Sequence, residues 1–438
     1  MAPIKLSFQN DFTIDERFGK YPADWILHRM GDLGDFFGGT TPSTQQPSYW
    51  NGSINWLVPS DISTLPEEQK YIYDTGDKIT ESGLAACSAV LLPAGTVTMS
   101  SRATLGDCVI FGKEMCTNQG FISCKCNDHI NNEYLLYWIR QYKNYISRYA
   151  AGTTFLEIGR RQFKKLRIAI PEPQEQALIV GALADIDRAI EVTRKAIDQA
   201  GLVKKALMQH LLSGRLKPDG TWRKPDEFYV DEKFGRVPKG WRACAVADPS
   251  IADLEPNYDF VKGKEYAFIP MDALEEGFKG VRQIEYRVIE SGGYSRFKNG
   301  DILFAKITPC VENGKVALVE GLRDGLGFGS TEFIVISPKT TADNLFLYYQ
   351  LISGNVHKLA ISLMEGTTGR QRIPAKIFRK RIYISIPEDL NEQRKISEKI
   401  KTIEKMIGVK QDKITKLQVL KKFLMQNLLT GKIRVQVG

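Results

Sequence analysis

The sequence contains no apolar run approaching the roughly 18 residues that a membrane-spanning helix needs. Its opening residues, MAPIKLSFQNDF, lack the apolar core of a secretory signal. The expectation is a cytoplasmic protein with no membrane association. Histidine is scarce, with four scattered residues, and no nucleophile–histidine–acid triad suggests itself. No Gly-x-Gly-x-x-Gly follows a strand pattern and no Gly-x4-Gly-Lys-Ser/Thr occurs, so dinucleotide and NTP sites are unsupported. The short Asn/Asp-Pro-Pro-aromatic loop of an amino-methyltransferase is missing too. Seven cysteines, an odd number without paired spacing, argue against a disulfide framework. Cys124-x-Cys126 with His129 is the single metal-like cluster, but one intervening residue is not zinc spacing and no second pair follows. It reads as reduced cysteines packed in a sheet, with no metal. Pro225-Asp226 followed by Asp231-Glu232-Lys233 only loosely imitates a nuclease cluster. It sits in a polar, Pro- and Gly-studded segment, 213–240, that reads as a linker without the rigid elements a metal site needs.

What the sequence does have is ordinary globular composition in 438 residues, 43% hydrophobic and 25% charged, enough for two to four folding units. The net charge is +9, with the excess in residues 218–438, which favours a polyanionic partner. The chain is also duplicated. LVKKALMQHLLSGRL (202–216) returns as VLKKFLMQNLLTGKI (419–433), an offset of 217 with eight of fifteen positions identical. IPEPQEQALI (170–179) returns as IPEDLNEQRKI (386–396), and Gly152-Thr153-Thr154 as Gly366-Thr367-Thr368. Phe18-Gly19…Pro22…Trp25 returns as Phe234-Gly235…Pro238…Trp241, the tryptophans reading as core. A period this long excludes a solenoid and indicates two copies of one module.

Each copy begins with short β-like runs, such as Gly95–Met99 and Asp301–Ala305, interrupted by amphipathic stretches at 132–148 and 343–361. This is an α+β pattern. Each then ends in a long helix, announced by Pro171-Glu172-Pro173 or Pro387-Glu388-Asp389 and closed by Gly214 or Gly431. The boundaries read as 1–170, a first α+β domain; 171–214, the first helix; 215–386, linker and second domain; and 387–434, the second helix. Spacings of four and three alternate through Ile179, Leu183, Ile186, Ile190, Thr193, Ile197, Ala200, Lys204, Leu207 and Leu211. The second helix repeats them as Ile396, Ile400, Ile403, Ile407, Lys410, Ile414, Leu417, Lys421, Leu424 and Leu428. That is a coiled-coil seam, polar at the same two slots in both helices, and the simplest inference is that the helices pack on one another. Each would run on the order of 50 Å.

A dense basic stretch precedes each helix. Residues 140–167 carry Arg140, Lys143, Arg148, Arg160, Arg161, Lys164, Lys165 and Arg167 against only Glu157. Residues 358–381 carry Lys358, Arg370, Arg372, Lys376, Arg379, Lys380 and Arg381 against only Glu365. Two such runs at equivalent places point to phosphate contact. Two basic domains on a rigid spacer longer than one DNA turn of about 34–36 Å suit two separated half-sites. Because the copies diverge outside their shared landmarks, the half-sites should differ.

The duplicated layout, the IPEPQEQ and IPEDLNEQ helix entries and the KK-LMQ-LL-G helix ends resemble the DNA-specificity subunit of type I restriction-modification systems. So do Tyr49-Trp50…Ile54-Asn55-Trp56…Asp61 and the run Gly300–Cys310…Glu312–Lys315. The resemblance implies two similar target-recognition domains related by a pseudo-twofold, and two long antiparallel helices forming a coiled coil that acts as a ruler. It implies a non-catalytic subunit that binds double-stranded DNA, two adenine-N6 methyltransferase (M) subunits and restriction-translocation (R) subunits. S-adenosylmethionine, ATP and Mg would sit on those partners, with no cofactor in this chain. The alternatives are a coiled-coil adaptor without DNA recognition, and a single-chain methyltransferase or nuclease with unrecognised motifs. In the first domain the loop Gly38–Trp56 and the turn Ser100–Thr104 are candidates for DNA contact; Asn118 and Gln119 suit adenine and Arg102 guanine. In the second, Lys306, Thr308, Asn313, Lys315, Ser330 and Thr331 lie on corresponding loops, with Asn313-Gly314 readable also as a hairpin turn.

Overall fold

The computed structural model describes residues 4–102, 104–152, 156–289, 293–367, 369 and 371–437. The repeat landmarks Thr153, Thr154 and Thr368 and the candidate Arg370 lie outside the described residues. The chain divides into two compact units, Met1–Ala196 with Lys410–Gly438, and Ile197–Val409. Two long helices, Pro173–Leu212 and Leu390–Leu428, each contribute one part to either unit. Gly214 and Gly431 follow them in the left-handed region, φ +65° and +67°, which a glycine adopts without a Cβ penalty.

In the first unit, a five-stranded sheet runs in the order Gly34–Gly38, Phe121–Cys126, Val97–Ser100, Cys108–Phe111, Tyr71–Ile72. Helix Asn132–Gln141 packs on it and joins Tyr134 and Trp138 to Ile179 and Leu183 of one long helix and Met425 and Leu428 of the other. The early part of the first long helix thus meets the late part of the second, an antiparallel pairing. The second unit repeats the plan with a sheet ordered Ala252–Leu254, Phe333–Pro338, Ile302–Ala305, Val316–Leu318. Helix Asn344–Ile352 shares its core with Leu211, Ile396 and Ile400. The amphipathic stretches are broken in both copies: Asn132–Gln141 then Lys143–Ser147, and Asn344–Ile352 then Gly354–Ser362.

None of the twenty seam positions is exposed. Two of their polar slots carry a matched device. Lys421 lies 2.7 Å from Asp187 with both side chains 5% exposed, and Tyr137 donates to the other carboxylate oxygen at 2.5 Å. In the second unit Lys204 pairs with Glu404 at 2.6 Å, and Tyr349 donates to Glu404 at 2.6 Å. Residues 187 and 404, and 204 and 421, are 217-residue equivalents. A shifted register would leave Lys421 and Asp187 buried without partners, which is far costlier than leaving them paired.

The other landmarks are structural as well. Gln176 donates to Pro171 and His129 carbonyls and accepts from Asn131 N; Gln393 donates to Pro387 and Thr341 carbonyls and accepts from Asp343 N. Each glutamine thereby fastens a long helix to the N-cap residue of the shorter one, Asn131 or Asp343. Trp25 and Trp241 are core, 4% and 2% exposed. A Cβ on Gly431 would fall 3.0 Å from the Trp25 ring, and one on Gly214 3.2 Å from the Trp241 ring. Arg434 lies over Trp25 and bonds Glu175 and Asp24, holding the Asp24 carboxyl below its usual range; Arg223 lies over Trp241 and pairs with Glu392.

Two expectations need correction. Segment 213–240 is not an open linker: Phe228–Asp231 and Gly235–Pro238 form an antiparallel hairpin, matching Phe12–Asp15 and Gly19–Pro22 in the first unit. Gly235 follows its turn at φ +91°, and Gly214 packs against Pro238 and Trp241. The second long helix closes at Leu428, and the chain beyond Gly431 is a strand, Ile433–Val437, antiparallel to Ile4–Phe8. The alternation Ile433, Val435, Val437 suits a strand.

The buried pair makes a sharp stability prediction. Lys421→Met leaves Asp187 buried without its cation and should cost about 3–5 kcal/mol in urea unfolding. Lys204→Met, in the more open equivalent, should cost about 1 kcal/mol or less. Adding Asp187→Leu to Lys421→Met should restore most of the loss. Equal costs for the two lysine variants would show that the buried pair does not discipline the helix register.

Candidate nucleic-acid interface

Strand direction decides where the loops gather. In the first unit Ile122 faces Gly38 and Phe121 faces Ser100, so the turns 39–41, 100–102 and 118–120 all leave one sheet edge. Backbone hydrogen bonds lock them: Ser101 N to Gly120 O at 2.8 Å, and Ile158 N to Ser101 O at 2.9 Å, which brings in the segment that enters helix Arg160–Phe163. In the second unit Ala305 faces Phe333, and the same edge carries 306–308 and 330–332. Lys306 N bonds Glu332 O at 3.0 Å, and Ile373 N bonds Lys306 O at 2.7 Å. Ser101, Gly120 and Ile158 thus have Lys306, Glu332 and Ile373 as structural counterparts. The backbone frame is common to both units and the side chains on it are not.

The candidates distribute unevenly over this frame. Ser100 is 1% exposed and its hydroxyl donates to Arg102 O at 2.6 Å, so it shapes the turn rather than facing outward. Asn118 Oδ1 accepts from Gly120 N at 2.9 Å, and Gln119 Oε1 from Thr41 Oγ1 at 2.5 Å, a contact the sequence did not announce. Arg102 lies over the 118–120 turn: a Cβ on Gly120 would stand 3.4 Å from Arg102 Nε. Arg160, Arg161 and Lys164 are exposed; Arg160 Nη1 donates to Phe36 O at 3.4 Å, and the Lys164 stem lies against Gly31.

In the second unit Lys306 and exposed Thr331 line a polar hollow of about 420 Å³ with Asn257, Tyr294 and Arg296, residues the sequence reading did not single out. Thr308 Oγ1 is buried without a hydrogen-bond partner among the described residues, and Asn313 donates to Glu276 at 2.7 Å. Lys315 Nζ donates to Met271 O at 3.1 Å. Asn313-Gly314 is part of a long connection between strands Ile302–Ala305 and Val316–Leu318, not a two-residue hairpin. Arg372 binds Glu332 through two donors, and Lys376 stands 3.7 Å from Glu365. Arg370 lies outside the described residues.

The basic stretches therefore mix two kinds of residue. Arg140 donates to the Glu67, Gln69 and Cys108 carbonyls at 2.6, 2.9 and 3.3 Å, and Lys143 pairs with Asp107 at 2.5 Å. These are internal ties. Among the described residues no group of three or more His, Cys, Asp or Glu could hold a metal ion. Cys124 is buried in strand Phe121–Cys126.

A family model described as the type I restriction modification DNA specificity domain matches residues 22–200 and 255–419. The chain is 28% identical, over 99% of each, to the type I restriction enzyme MjaIX specificity subunit of Methanocaldococcus jannaschii. It is 34% identical to the EcoAI specificity subunit of Escherichia coli, over 49% of this chain and 35% of that one. Among solved structures, the type I restriction-modification S subunit from M. genitalium superposes with a TM-score of 0.52 at 13% identity, covering 95% of this chain and 97% of that one.

The division of the basic residues is testable. Arg140→Ala should lower stability by about 1.5–3 kcal/mol, since charged hydrogen bonds are lost, and leave the salt dependence of DNA binding unchanged. Arg161→Ala with Lys165→Ala should shift stability by no more than about 0.5 kcal/mol and reduce the slope of log K against log salt by about 2. Thermal melts and binding titrations at several salt concentrations separate the two, and the opposite pattern would refute the division.

Proposed function

Because the chain belongs to the type I restriction-modification DNA specificity family, we propose that it is the sequence-reading subunit of such a complex, recognising a bipartite, asymmetric DNA site. One observation carries the asymmetry: the two units share the backbone frame Ser101–Gly120–Ile158 and Lys306–Glu332–Ile373, yet present different side chains on it. A common frame docks in a common way on the duplex, while the side chains at its tips choose the bases. In this reading exposed Arg161 and Lys165 neutralise phosphates and supply affinity without sequence preference. Arg102, Asn118 and Gln119 face bases of one half-site, and Lys306, Thr331 and Arg372 those of the other.

The chain performs no bond-making step in this proposal. It positions adenine-N6 methyltransferase and restriction-translocation subunits in the cytoplasm, and S-adenosylmethionine, ATP and Mg serve those partners. The test is to map adenine methylation made by the chain with its methyltransferase partners. A motif in two parts around an unread spacer is expected. Replacing Asn118 and Gln119 by alanine should alter one part only. Methylation or cleavage by the purified chain alone, or a complex without sequence preference, would overturn the proposal.

A further inference from the structure

The Arg372–Glu332 pair is an oddity of the second unit. Glu332 accepts from Arg372 Nε at 3.2 Å and Nη2 at 2.6 Å, across 40 residues of chain. The arginine side chain is 63% exposed and the glutamate 23%, and exposed pairs of this kind add little stability. Nor does closing the loops require it. The first unit makes the same two backbone hydrogen bonds with glycine, Gly120, at the Glu332 position. The backbone bridge of Arg372 to Glu365 is matched there by Glu157 with Ala151, so the Arg372 position carries the opposite charge. The pair is thus particular to one reader and dispensable for its fold.

Its geometry suits recognition. The carboxylate occupies the Nε–Nη2 edge of the guanidinium and fixes its plane. Among the described residues the Nη1–Nη2 edge of this exposed side chain has no partner, and it can donate two parallel hydrogen bonds, the fork that matches O6 and N7 of guanine in the major groove. Lys306, whose backbone ties both loops together, opens onto the adjoining polar hollow with Thr331 and Asn257. In the first unit a guanidinium stands at the matching turn by another route, with Arg102 lying over Gly120. We infer that Arg372 reads a guanine in the half-site faced by the second unit, with Glu332 as the positioning residue that aims it. The inference rests on the DNA-specificity reading and names the base that one of its residues takes.

The experiment uses the full chain with its methyltransferase partners, on duplexes differing at single base pairs of the mapped motif. Arg372→Ala should weaken the cognate duplex by about 10- to 100-fold and make one guanine position of one half-site degenerate. Binding to a duplex already lacking that guanine should be unchanged. Arg372→Lys keeps the charge but loses the fork, so discrimination should fall while the salt slope holds. Glu332→Gln should relax the same position more mildly, and Arg102→Ala should affect the other half-site. Uniform weakening on all duplexes with a salt slope reduced by about one would make Arg372 a phosphate contact and overturn the inference. So would a mapped half-site without guanine. A wild-type complex indifferent to sequence would instead defeat the DNA-specificity reading, and this assignment with it.

Discussion

The ion pair between Lys421 and Asp187, roofed by Tyr137, is the constraint on which the first unit turns. Its members come from the early part of one long helix, the late part of the other and the short helix beneath the sheet. Burying two opposite charges gains little over an apolar contact, but burying either alone is severely penalised. The pair therefore acts less as glue than as a veto on other registers. The second unit builds the same triad from Lys204, Glu404 and Tyr349 in a more open setting. Duplication preserved the chemistry of the lock while its burial drifted.

Around that lock the repeated sequence landmarks acquire one common meaning. Gln176 and Gln393 bind a helix start to an N-cap, Glu175 and Glu392 hold an arginine over a tryptophan, and Gly214 and Gly431 let that tryptophan approach the helix end. The arginines, Arg434 and Arg223, are not at equivalent positions in the repeat, so the second member of each stack could not be read from self-similarity. What recurs in the sequence is the frame.

That explains which parts of the molecule were legible. The helix seams were readable because alternating spacings of four and three put eight of ten seam positions on apolar residues in each helix, from Ile179 to Leu211 and Ile396 to Leu428. The hairpin at 228–238 hid because its pairing needs only four residues a side and its turn glycine looked like linker composition. The terminal strand hid because its partner, Ile4–Phe8, lies over 400 residues away, a distance no local pattern spans. The basic stretches misled in part, since Arg140 in helix Asn132–Gln141 and exposed Arg161 in the short helix Arg160–Phe163 carry the same charge. Only the carbonyls around Arg140 separate a tie from a contact.

The same logic applies at the loops. A residue that must hold a fold is confined to the position that the frame gives it, but a residue that must meet a base is confined only to a place in space. The two units put a guanidinium over equivalent turns from different positions, Arg102 beside Gly120 and Arg372 on Glu332. Divergence of that kind erases the sequence repeat while preserving the surface. A chain reading two unlike half-sites with one architecture should therefore look most alike where it touches nothing but itself, and least alike where its turns face outward.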